Sequence, residues 1–193
     1  MPLVAPTTGP LARLIRFVAR RQYGAPIDAS TAVMAGHVRL LFALAAFNRA
    51  VERPGALGRE LKDLAAVRAA TVAECEFCID IGSEYARRSG LSDEQLLALP
   101  RARESGLFSE DQLVVIAYAE ALSRTPAVVP AELAEAVARR FDRRQVIELA
   151  YICAWENHRA RLNIGLGIEA GGFSEGRVCA LPESAAELSR PGT

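Results

Sequence analysis

The stretch ECEFCIDIGSEYARRSGLS, residues 74–92, decides how this chain is read. It holds two of the four cysteines, Cys75 and Cys78, with two residues between them. From the cysteines onward it suits a helix to about Ser89, with Gly90 available as the C′ residue. Positions i and i+3 share a helical face, with Cβ atoms ~5–6 Å apart. A disulfide needs Cα atoms ~4.4–6.8 Å apart, so such a pair can close and open with little backbone movement. The first turn of a helix also carries unsatisfied N–H groups and the positive dipole end, which favour thiolate over thiol. A thiolate attacks a peroxide oxygen and becomes a sulfenic acid; a neighbouring thiol converts that to a disulfide before over-oxidation. Spacing alone leaves three other readings open. A thioredoxin-like pair lacks its βαβ context here. A zinc site needs four ligands, and Cys153, Cys179, His37 and His158 are scattered singly. The cysteines could also be two small apolar residues in a helix.

Outward from the pair, the chain reads as helices on both sides. Pro10 and the residues to Gly24 suit a first helix, and TAVMAGHVRLLFALAAFNRAVE (31–52) a second, stopped by Pro54-Gly55. LGRELKDLAAVRAATVAE (57–74) places Leu61, Leu64, Val67 and Val72 mostly on one side. Ser92 with Gln95, and Asp142 with Gln145, have capping-box spacing. Further helices are expected over 110–124, over 131–141, and from Asp142 through VIELAYICAW into ENHRARLN (156–163). The Gly-, Ser- and Pro-rich tail from Gly171 reads as irregular. No strand alternation is found, so the fold class is all-α. One domain over 1–193 is expected, with its core about 30–170 and its tail about 171–193. KDLAAVRAATVAECEFCIDIG can be laid on IELAYICAWENHRARLNIGLG at an offset of 85, which suggests a duplicated helical hairpin.

Composition limits the partners. The chain has 193 residues, is 51% hydrophobic, and carries no net charge. Only Lys62 is a lysine, against 22 arginines, which reads as the codon bias of a GC-rich, bacterial genome. No basic block suggests nucleic acid. No apolar run reaches the ~18 residues of a membrane span, and the N-terminus lacks the order of a signal peptide. The expected location is the cytoplasm, where four cysteines are thiols and not a disulfide scaffold. An uncharged chain this apolar is expected to form a homo-oligomer that covers part of its surface.

DLAAVRAATVAECEFCIDIGSEYARRSGLSDEQLLAL (63–99) resembles the core of the carboxymuconolactone decarboxylase superfamily. More narrowly, it is similar to the alkylhydroperoxidase D-like branch. The matching positions are Asp63, Arg68, Cys75, Cys78, Gly82 and Gly90-Leu91-Ser92. The similarity runs from about residue 30 to 180. The resemblance implies an all-α bundle that self-associates and a thiol-dependent peroxidase acting on hydrogen peroxide or organic hydroperoxides. Cys78 would be peroxidatic, Cys75 would resolve it, and Asp63 would belong to the proton relay. A lipoylated or thioredoxin-like protein would reduce the disulfide; no metal or nucleotide cofactor is required. Two positions depart from the pattern. Asp63 is shorter than the relay glutamate, and Gly82 stands where the relay histidine would be. Glu156, with Arg159 and Asn163 nearby in ENHRARLN, is the candidate to fill the room beside Gly82. The same residues could instead form only a salt-bridged helix end. Asp80 and Glu76 are expected to be solvated, and Cys153 to be buried packing. Two other functions compete: a lactone decarboxylase that does not need the cysteines, and a non-enzymatic oligomeric helical binding module.

Overall fold

A computed structural model describes residues 35–174 and 176–182, with isolated positions before residue 22. The helix expected over 10–24 lies largely outside the described residues. From Val38 onward the chain is a succession of helices with no strand among the described residues. They are α1 (Val38–Glu52), α2 (Arg59–Val72), α3 (Glu76–Arg88), α4 (Asp93–Ala98), α5 (Ala102–Ser105), α6 (Glu110–Ser123), α7 (Ala131–Arg140) and α8 (Arg143–Leu166). A 3-10 turn, Leu99–Arg101, joins α4 to α5.

Side-chain chemistry sets the boundaries. Ser92 with Gln95 and Asp142 with Gln145 form reciprocal capping boxes, as does Ser109 with Gln112 at the start of α6. At the end of α3, Gly90 takes φ 119°, Gly90 N–H bonds to Arg87 O and Leu91 N–H to Ala86 O. That is a Schellman closure, and its C′ residue needs the positive φ that glycine adopts without penalty. The expected helix over 31–52 begins at Val38, where the His37 imidazole accepts the Leu40 N–H at 3.4 Å.

Helix α2 lies at the centre and packs against α3, α6 and α8. Leu64, Ala65, Ala69 and Ala70 are fully buried, and the small alanines let the neighbouring backbones come close. Arg68 is 1% exposed in this apolar setting. It is accommodated because Glu120 of α6 accepts its Nε–H at 2.9 Å and Thr71 Oγ1 accepts from Nη1 at 3.0 Å. Helix α1 differs from the rest: none of its residues is buried. Its Leu40, Phe42 and Phe47, with Ile147, Tyr151 and Ile164 of α8, leave large apolar side chains exposed. No helix among the described residues is long and apolar enough to cross a membrane.

The tail after α8 is irregular, as its composition suggests, but it is anchored to α3. Asp80 is buried, which corrects the expectation that it is solvated. Its carboxylate accepts the N–H groups of Gly171 (3.0 Å), Phe173 (2.9 Å) and Ser174 (2.7 Å). Ser83 Oγ accepts the Ala180 N–H at 3.0 Å. Phe173 packs edge-on against Phe77, with ring centroids 5.7 Å apart. The echoing segments differ in path: a break at 73–75 separates α2 from α3, whereas 147–166 belongs to one uninterrupted helix.

Candidate active site: a buried dithiol at a helix start

The break between α2 and α3 positions the cysteines. Cys75 N–H bonds to Ala70 O and Glu74 N–H to Thr71 O, the same closure as at the end of α3. Here the C′ residue is Glu74, at φ 54°. A non-glycine residue in that region costs about 1–2 kcal/mol, and the strain sits directly before the thiols. Cys75 is then the N-cap of α3, with Sγ accepting the Cys78 N–H at 3.3 Å. The two sulfurs therefore share the first turn of a helix, as the spacing indicates. Both are almost inaccessible, Cys75 at 1% and Cys78 at 4% exposure.

Helix α8 closes over the pair. Asn163 Nδ2 donates to Cys78 Sγ at 3.4 Å. Two turns earlier, Glu156 is 3% exposed and ion-paired with Arg159. The thiols ionise as a unit. Contact with Cys78 draws Cys75 below the ordinary thiol range against the effect of burial, and the Cys78 N–H assists. Cys78 is pushed up by Cys75, by burial and by the Glu156 carboxylate, in that order, while Asn163 opposes the rise. The helix N-terminus, where Cys75 Sγ accepts the Cys78 N–H, favours negative charge on that sulfur. Burial works against the Arg159 cation, but Glu156 and Glu52 outweigh it and hold its pKa above the ordinary value. Cys153 is fully buried, and burial pushes its thiol up, as suits packing.

Asp63 is not brought to the thiols. Helices α2 and α3 run in opposite directions, and the other polar neighbours of Asp63 include Ser89, the C-cap at the far end of α3. About 20 Å of helix separates that end from Cys75. Asp63 instead accepts from Arg59 Nε at 2.7 Å. Burial raises its carboxyl above the usual range despite that bond.

Gly82 also departs from its expected role. The atoms nearest to a Cβ placed on it belong to Val67 of α2, at 3.6 Å, and not to Glu156. That distance is ordinary van der Waals contact. Gly82→Ala should therefore stabilise the fold by about 1 kcal/mol through helix propensity, read as a rise in melting temperature.

Sequence reasoning missed Asn48 and Glu52 of α1. Asn48 Oδ1 accepts from Trp155 Nε1 at 2.7 Å and from Arg159 Nη1 at 2.9 Å, and Glu52 pairs with Arg159. Their signal was a polar i, i+4 pair on one face of a largely apolar helix. Among the described residues, no group of three or more His, Cys, Asp or Glu side chains is placed to hold a metal ion.

A family model of the carboxymuconolactone decarboxylase family matches residues 39–121, which include α1 to α3 and both cysteines of the pair. Over that stretch the chain is similar to the carboxymuconolactone decarboxylase family. Glu156 and Asn163 lie outside the matched stretch. The uncharacterized protein YnjA of Escherichia coli (strain K12) is 38% identical over 124 residues, 64% of this chain. The chain spans 65% of that relative's length. Among solved structures, the debrominase Bmp8 superposes with a TM-score of 0.76 at 22% identity, covering 87% of this chain and 91% of its own. An uncharacterized peroxidase-related protein from Ralstonia eutropha JMP134, described as an alkylhydroperoxidase AhpD core, superposes with a TM-score of 0.73 at 17% identity. It covers 93% of this chain and 99% of its own. By these superpositions the chain has the all-α AhpD-like fold.

Proposed function

We propose that this chain is a thiol-dependent peroxidase, or a closely related disulfide-exchanging oxidoreductase, working through Cys78 and Cys75. The observation that carries this reading is the Cys75 Sγ–Cys78 N–H contact of 3.3 Å in the first turn of α3, next to Glu156 and Asn163. The shared proton passes from Cys78 to Cys75, and Cys78 becomes the attacking thiolate. Its sulfur bonds to one peroxide oxygen, the O–O bond breaks, and the second oxygen leaves as alkoxide or hydroxide. Glu156 accepts the first proton lost from the pair and returns it to the leaving oxygen. Cys75 then attacks the Cys78 sulfenic acid, forming the disulfide and releasing water with the remaining proton. A lipoylated or thioredoxin-like dithiol protein returns the two electrons.

A homo-oligomer in the cytoplasm belongs to the same reading. The exposed apolar side chains of α1 and α8 suit a second copy, and free thiols suit a reducing compartment. Proton transfer by Asp63 does not enter this scheme; Glu156 takes that role.

One observation favours a second reading, reductive dehalogenation. Bmp8, a debrominase, was solved as a cysteine-to-alanine variant in complex with 2,3,4-tribromopyrrole, and it superposes with a TM-score of 0.75 over 86% of this chain. A dithiol can supply the two electrons that replace carbon–bromine with carbon–hydrogen, releasing bromide and leaving the disulfide. Turnover with an organic hydroperoxide and with a bromopyrrole, each with a small dithiol as reductant, decides between them. Hydroperoxide consumption that exceeds bromide release supports the peroxidase. Bromide release alone replaces it with the second reading.

A further inference from the structure

Arg159 is held by carboxylates from two different helices. Its Nη2 donates to Glu156 on its own helix, and its Nη1 to Glu52 at the end of α1. Asn48, one turn before Glu52, reinforces the arrangement: it accepts from Arg159 at 2.9 Å and donates to Glu52 Oε2 at 2.8 Å. Phe47 braces the same place with its ring edge-on to Trp155, centroids 4.7 Å apart. Helix α1 buries none of its residues, yet it delivers two polar side chains to this network.

The network meets the dithiol through α8. Asn163, one turn beyond Arg159, touches Cys78 Sγ, and Arg159 and Cys78 act on each other electrostatically. Two carboxylates thus share the Arg159 guanidinium beside the thiols. Of the other charged groups on the surrounding helices, Arg59 also reaches Glu52, and the rest are engaged elsewhere. Arg59 of α2 is bonded to Asp63 and to the Glu52 carbonyl oxygen, and its charge acts on Glu52. Lys62 pairs with Glu148 near the start of α8 at 3.0 Å, and Arg68 pairs with Glu120. Asp80 of α3 is bound to the tail, and Glu76 is exposed. Cys153 of α8 is the remaining thiol that feels Glu156.

We propose that Glu52 is a positioning residue for the dithiol: it competes with Glu156 and the Cys78 thiolate for the Arg159 guanidinium, and so sets how readily the pair ionises. The proposal rests on Cys75 and Cys78 being the working thiols. A carboxylate that only held α1 in place would alter stability. A carboxylate that occupies the guanidinium also alters thiol ionisation, and in the opposite sense to loss of the guanidinium itself. Glu52→Gln frees Arg159 to face Glu156 and Cys78, so the pair ionises more easily. Arg159→Gln removes the guanidinium from Glu156 and leaves Glu52 to Arg59 alone, so the pair ionises less easily.

The test is ultraviolet thiolate absorbance against pH on the full, reduced chain, in a Cys179→Ser background that removes the partly exposed tail thiol. Glu52→Gln should lower the apparent pKa of the pair by about one unit, and Arg159→Gln should raise it by about one unit or more. Shifts in the same direction, or no shift with Glu52→Gln, overturn the proposal. If Arg159→Gln does not fold, Glu52→Gln decides alone: a fall in apparent pKa supports the proposal and an unchanged value overturns it. No peroxide enters this measurement, so the two readings fail separately. Opposite shifts without hydroperoxide turnover overturn the peroxidase and leave the competition standing. Turnover without the shifts does the reverse.

Discussion

Cys78→Ser is expected to abolish hydroperoxide consumption, whereas Cys75→Ser is expected to give one turnover and then stall as a sulfenic acid. The asymmetry follows from the positions of the two sulfurs. Cys78 Sγ faces Asn163 and feels both Glu156 and Arg159. Cys75 Sγ is turned back onto the helix N-terminus. Serine at 75 preserves the backbone, because a hydroxyl is itself a good N-cap acceptor for the same N–H. The folded start of α3 therefore survives Cys75→Ser, and loss of turnover in that variant reports loss of the resolving thiol. The stalled species is detected as a single added oxygen by intact mass. The reverse pattern, with Cys75→Ser inert and Cys78→Ser giving one turnover, would assign attack to Cys75, the sulfur at the helix N-terminus.

The second large effect concerns Glu156, and its sign separates two physical roles. An ionised carboxylate beside the pair opposes the thiolate, and its charge raises both thiols. If that were its whole influence, Glu156→Gln would ease ionisation and speed the reaction at neutral pH. As the proton acceptor, Glu156 should instead be missed. Glu156→Gln is then expected to slow peroxide reduction about 10²-fold at pH 7, within the range of general-base assistance. The deficit should shrink as pH rises, because the pair then loses its proton directly to solvent. A rate–pH profile of the variant decides between the roles, and faster reaction at pH 7 would remove Glu156 from the proton path.

Much of the fold was legible because helix ends announce themselves locally. Ser92 with Gln95, Asp142 with Gln145, and Gly90 each satisfy backbone groups within a few residues, so spacing alone located them. The dithiol was legible for the same reason, since both sulfurs belong to one turn. What escaped was long-range. Asp80 reads as a solvated carboxylate, but its partners are backbone N–H groups 91 to 94 residues away in the tail. Nothing in residue type marks such a partner, because every non-proline backbone offers the same donor. Asp63 matched a family position, yet the opposed directions of α2 and α3 carry it to the wrong end of the cysteine helix. Gly82 reads as a space for another side chain, but the packing of α2 against α3 sets Val67 beside it with room for a methyl group. Glu156 and Asn163 were found from their shared helical face. Glu52 and Asn48 also share a face, but on a helix without a buried residue nothing in the sequence tied that face to Arg159.

The most direct test of the central claim is to add one equivalent of hydroperoxide to the reduced chain and follow the cysteines by peptide mass spectrometry. The account predicts a Cys75–Cys78 disulfide that forms faster than free cysteine is oxidised under the same conditions, with Cys153 still reduced. Oxidation no faster than free cysteine, or oxidation that falls first on Cys179 and leaves Cys75 and Cys78 as thiols, would contradict it.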